Sequence, residues 1–258
     1  EGPPPNAGLG GQGAEESPGW HAIAWHCPPG AAVVWKPAGM RSLGEHAGTL
    51  QTTLPLLPAL EGAERPRPLS RLEIGCAGLA LVALSPEAQA SLTALASAGR
   101  VLHHFRAVVR GRLGEPEEVL TLRLSHRGPD REAGEPEEVE CRILHVAERE
   151  AKGSGASEAA AATVATSVVE LTTAACAGRC CGLLCLMLRL NGTPVVGDRL
   201  ARRRAATAVD GAAATAMEAL GAERKLRIEC VGISIPGASP GDPELMDVRI
   251  CRKEMLPR

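Results

Sequence analysis

The sequence predicts an α+β domain built on a mixed, mostly antiparallel sheet. Three observations carry that expectation: many short apolar or alternating stretches set between Gly, Pro and charged turns, one well-capped helix, and few other helical patterns between the strands. The 258 residues, 45% of them hydrophobic, are enough for a substantial core. With no Tyr, a single Phe (Phe105) and three Trp, that core must be filled by Leu, Val, Ala and Ile.

Residues 1–19, EGPPPNAGLGGQGAEESPG, have almost nothing to bury and read as a disordered arm, followed by one domain over 20–258. The GLGGQG run in that arm follows no strand and opens no helix, so it reads as tail rather than phosphate loop. Val33 and Val34 suggest a short strand running into a KPAGM turn. Leu79 to Leu84 is a continuous apolar run, as in a central strand covered on both faces. A helix follows: Ser85 is placed to cap it, Pro86 to open it, Leu92, Leu95 and Ala96 to share a face, and Gly99 to end it. Further strands are expected at 105–109, 139–146, 164–171, 183–190, 226–235 and 247–250. The two EPEE stretches, 115–118 and 135–138, read as solvated turns, KGSGASEAAAA (152–162) as a loop insertion, and 205–220 as a helix interrupted by Gly211.

Five motifs in order resemble the RluA-type RNA pseudouridine synthases. VVWKPAGM resembles that family's opening "vvnKPaGm" turn, and SRLEIGCAGLALVAL its HRLDxxTSGLLLxAK signature. VLHHFRAVVRGRL is similar to "vxKxYxAxVxG", AGRCCGLLCLMLRLNGTPVVGDRL to "TGRTHQIRxHLaxlGhPIvGDxlY", and LRIECVGISIP to the closing "LHAxxLxFxHP" strand. Together they span about residues 31–250. The resemblance implies a pseudouridine synthase-like sheet with a central RNA-binding cleft. It further implies isomerisation of a flipped-out uridine, in rRNA or tRNA, without a cofactor. That chemistry uses an Asp, a Tyr and an Arg paired with the Asp.

All three positions depart from the family. The Asp falls on Glu73, whose extra methylene shifts the carboxylate; a displacement of about 1 Å can cost roughly a hundredfold in rate. The Tyr falls on Phe105, which keeps the ring and loses the hydroxyl. The Arg falls on Leu184 or Cys185, leaving no cation for Glu73 unless Arg179 supplies one. Around them, the family's His is Ser70, its Thr-Ser is Cys76-Ala77 and its Lys is His103. Glu73 also has an ordinary reading, as a charge paired with Arg71 or facing solvent.

The basic residues open to RNA phosphates are Lys36, Arg71, and the Arg199, Arg202, Arg203 and Arg204 cluster, with Arg65 and Arg67 as an extension. The alternative for the cluster is a solvated helix face. Cys176, Cys180, Cys181 and Cys185 lack the CxxC spacing of a zinc site and read as buried thiols, so no metal is expected. None of Cys27, Cys76, Cys141, Cys230 and Cys251 sits in a recognisable nucleophile motif. Nine Cys set in apolar runs suit a reducing intracellular compartment, cytoplasm or organelle. Ala174 to Leu190, broken by Arg179 and Arg189, is too short for a membrane span, and the chain begins at Glu1 rather than Met, where a targeting segment could have preceded it. The net charge of −2 excludes bulk electrostatic coating of nucleic acid but leaves room for a local basic groove. Two functions compete with RNA modification: an inactive structural or assembly factor on RNA or ribosomes, and an interaction domain with no RNA role.

Overall fold

The computed structural model describes residues 25–27, 30–124, 137–151, 162–174, 180–198, 200, 225–235 and 246–249. Their order is β1 (Trp25–Cys27), β2 (Ala31–Lys36), α1 (Leu50–Thr53), β3 (Arg67–Pro68), β4 (Ala77–Ala83), α2 (Pro86–Ser97), β5 (Leu102–Arg110), β6 (Val119–Leu124), β7 (Glu137–Ala151), β8 (Ala162–Thr173), α3 (Cys180–Leu190), β9 (Ile228–Ile235) and β10 (Met246–Arg249). The strands form one sheet in the order β1-β2-β4-β9-β5-β8-β7-β6, with β3 added to β4 and β10 to β9. This is the mixed, mostly antiparallel α+β architecture expected. Among the described residues the one parallel pair is β4 with β9.

The apolar run predicted as a central strand is β4, and all seven of its residues are buried. It lies antiparallel to β2, from Ala31 opposite Ala83 to Lys36 opposite Gly78. Its other edge meets β9 at Ala77–Glu229 and Gly78–Cys230. That close approach needs a glycine: Gly78 has φ +129°, and a Cβ there would stand 2.3 Å from the Cys230 carbonyl oxygen. The crossing fixes where the 70–76 loop leaves the sheet.

The helix expected after Ser85 is α2. The Ser85 side chain accepts from the Ala88 N–H, Pro86 opens the first turn, and Ala88 and Leu92 face the core. β5, the next strand, is antiparallel to both β9 and β8, so it joins the two halves of the sheet. The 226–235 and 247–250 strands appear as β9 and β10.

One element differs in kind. The 183–190 stretch, expected as a strand, belongs to helix α3. Cys181, Leu184, Cys185, Met187 and Leu188 are buried while Gly182 and Leu190 are exposed, a helical spacing of three and four. The run is rich in Leu, a good helix former, and has no β-branched residue to favour a strand. The first EPEE stretch is an exposed turn, but Glu137 and Glu138 of the second already belong to β7. The 1–19 arm, the 205–220 helix and most of the 152–162 loop lie outside the described residues.

Candidate functional site

The loop that carries Glu73 is held by side chains from three directions. The buried Lys36 ammonium donates to the carbonyl oxygens of Pro37 (3.2 Å), Met40 (2.9 Å) and Glu73 (3.2 Å). Ser42 Oγ donates to the Leu72 carbonyl at 2.7 Å, and the Cys76 N–H closes a turn onto the Glu73 carbonyl at 3.0 Å. The Ser70 hydroxyl accepts from the Leu81 N–H at 3.0 Å and lies 2.8 Å from His103 Nε2. The backbone of residues 70–76 is therefore fixed before the Glu73 side chain is placed.

The Glu73 carboxylate reaches the first turn of α3. Its Oε1 accepts from the Gly182 N–H at 2.8 Å, where the helix presents unsatisfied amides and the positive end of its dipole. Its Oε2 is buried and has no hydrogen-bond partner among the described residues. Gly182 allows this contact, because a Cβ there would lie 2.9 Å from Oε1. Neither ordinary reading holds: Glu73 is half-buried rather than facing solvent, and among the described residues no ion pair joins it to Arg71. Burial draws the Lys36 ammonium below its ordinary pKa, with Cys76, Cys181 and Glu73 acting in the opposite direction.

Glu73 lines a cavity of about 700 Å³, the size of a pocket for a small organic ligand. Ile74 and Gly75 share its wall, and α3 contributes Cys181, Gly182, Cys185 and Arg189. Asp198, Leu200, Lys225 and Leu226 also line it. Arg189 and Asp198 form the ion pair of the site: Arg189 Nε and Nη2 donate to Asp198 Oδ2 at 3.0 and 2.6 Å. The Leu200 N–H donates to Asp198 Oδ1 at 2.9 Å. Cys181 is hydrogen-bonded with Cys185 and Cys76 and buried, which pushes its thiol well above the usual range. Among the described residues no group of three His, Cys, Asp or Glu could hold a metal ion, and no helix is long and apolar enough to cross a membrane.

The other sequence candidates fall in several places. Phe105 is fully buried in β5 with its ring 6.4 Å from His103, and it is absent from the residues lining the cavity; its aromatic face belongs to the core. Leu184 is fully buried, with no room for a charge. Lys36 is also fully buried, its ammonium committed to three carbonyls, so it braces the site rather than meeting a ligand from solvent. Arg65, Arg67 and Arg71 are exposed. Arg179, Arg199, Arg202, Arg203 and Arg204 lie outside the described residues. The sequence reading missed Arg189 and Asp198. Read as a helix, the run would have put Cys181, Cys185 and Arg189 on one face at intervals of four.

Two solved structures share this fold. Human RNA pseudouridylate synthase domain containing 1 is 18% identical, with a TM-score of 0.60 over 92% of this chain and 86% of that one. Human RNA pseudouridylate synthase domain containing 4 is 16% identical, with a TM-score of 0.57 over 87% of this chain and 86% of that one. No family model and no curated protein sequence matches the chain. The fold is pseudouridine synthase-like.

Proposed function

We propose that this chain is an RNA-binding protein, a divergent RluA-type relative, whose cavity receives one nucleotide turned out of a structured rRNA or tRNA without isomerising it. The observation that carries the reading is the state of the Glu73 carboxylate. It stands in the wall of a nucleotide-sized cavity on a pseudouridine synthase-like fold, yet Oε1 is engaged by the Gly182 amide and Oε2 is buried. A carboxylate that attacks a substrate or takes its proton needs an oxygen aimed at it; here Oε2 is buried and Oε1 is already aligned on the Gly182 amide. The cavity's volume and its apolar walls at Ile74, Cys185 and Leu226 support a flipped base as its occupant. Arg71 and the Arg199, Arg202, Arg203 and Arg204 cluster enter this reading as further phosphate contacts.

A second reading, isomerisation with Glu73 as the catalytic carboxylate, is favoured by one fact: the side chain lines the cavity. Incubation with tRNA and rRNA pools, followed by mass-spectrometric measurement of pseudouridine, separates the two. The proposed function expects RNA to be bound and no pseudouridine to form with the chain or its Glu73→Asp variant. Pseudouridine that forms with the chain and disappears with Glu73→Ala would establish the enzyme instead.

A further inference from the structure

We infer that Arg189, aligned by Asp198, is a phosphate anchor inside the cavity, taking the phosphodiester of the nucleotide that enters it. This deepens the RNA reading and rests on it. Arg189 occupies a position to which the family resemblance assigns no role.

Three observations support the assignment. The guanidinium lies in the cavity wall with its side chain 13% exposed, so it is largely withdrawn from water yet open on one side. Asp198, buried and tied down by the Leu200 amide, holds Nε and Nη2 and so fixes the plane of the fork. Nη1 has no partner among the described residues and is not among the buried unsatisfied atoms, which leaves it facing open space. A guanidinium held on one edge and free on the other is preorganised for a second oxygen-bearing group, and little side-chain entropy is lost when that group binds. The exposed Lys225 lines the same cavity and adds a second positive charge. Glu73 meets the first turn of α3 at Gly182 and Arg189 lies two turns further along the same helix, about 10 Å by helix rise, so a nucleotide lying along α3 would present its base toward Glu73 and its phosphate toward Arg189.

Arg189→Gln alone removes the guanidinium from the buried Asp198 carboxylate and is expected to destabilise the chain, so the test uses Arg189→Gln combined with Asp198→Asn, and separately Arg189→Lys. Binding of labelled RNA to the full chain is measured across salt concentrations. Competition by uridine, uridine monophosphate and inorganic phosphate is measured beside it, their direct binding is measured by titration calorimetry, and a melting curve checks each variant's fold. The expected result is that uridine monophosphate competes about tenfold better than uridine. In the folded double variant that advantage disappears, and the log–log salt slope falls by about one. Arg189→Lys is expected to keep the slope and part of the advantage.

An unchanged slope and an unchanged advantage in the double variant would overturn the anchor while leaving the RNA reading intact. Equal competition by uridine and its monophosphate in the starting chain would overturn it as well. So would inorganic phosphate competing as well as the nucleotide, since the anion would then bind apart from the base. A chain that binds no RNA but prefers the monophosphate through Arg189 would sustain the anchor and remove the RNA reading. Absence of all binding removes both.

Discussion

At the scale of single residues, the site depends on contacts that small changes can break. Gly182→Ala places a methyl group 2.9 Å from Glu73 Oε1 and must push the carboxylate away. The expected result is a melting temperature within a few degrees of the starting chain and an altered affinity for uridine monophosphate; an affinity unchanged in titration calorimetry would show that the Glu73–Gly182 contact does not shape the cavity. The Ser70–His103 pair makes a second prediction. Burial, with the neighbouring His104 adding to it, lowers the His103 pKa to about 4 from an ordinary 6.5. The unfolded chain therefore binds this proton at a higher pH than the folded one. The stabilisation is complete above about pH 6.5 and is lost as pH falls toward 4, by about 3 kcal/mol at about 1.4 kcal/mol per pH unit. Urea unfolding at pH 7 and pH 4.5 checks it, and His103→Gln is expected to remove this contribution to the pH dependence. Ser70 and His103 stand where the resembled family has His and Lys, and only the structure shows the two replacements meeting at 2.8 Å.

At the scale of elements, the β4–β9 crossing and the start of α3 set the geometry. Gly78→Ala would drive a Cβ into the Cys230 backbone, so about 3 kcal/mol or more of destabilisation is expected by denaturant unfolding. Leu184→Arg, which restores the residue type expected from the family motif, is expected to cost about 3–5 kcal/mol and to bring no pseudouridine formation, because it buries an unpaired charge in the helix interface. A stable, active Leu184→Arg variant would mean that α3 turns a different face to Glu73. The strands and α2 were legible in the sequence because alternation, capping and punctuation agreed there. Helix α3 was not: its run of Cys, Leu and Met is apolar nearly all round, and periodicity discriminates poorly when polar positions are few. Misreading that one element hid Arg189, since a strand would have scattered the residues that the helix brings to one wall.

At the scale of the whole molecule, the order of five weak motifs foresaw the fold that the two human structures share. It pointed to Glu73 as the residue of interest, and the structure puts Glu73 in a cavity wall. It could not show that one carboxylate oxygen meets an amide of α3 and the other is buried, because that depends on chain segments about a hundred residues apart meeting in space. A net charge of −2 spread over the chain gives no general attraction to nucleic acid, so any RNA affinity must come from a localised set of cations. The most direct test is the affinity of the full chain for structured tRNA and rRNA, measured between about 50 and 200 mM salt, a range over which phosphate contacts weaken binding steeply. The expected result is binding whose log–log slope corresponds to several phosphate contacts and which uridine monophosphate competes away. Binding that is absent, or that ignores both salt and nucleotide, would contradict the assignment of this cavity to RNA.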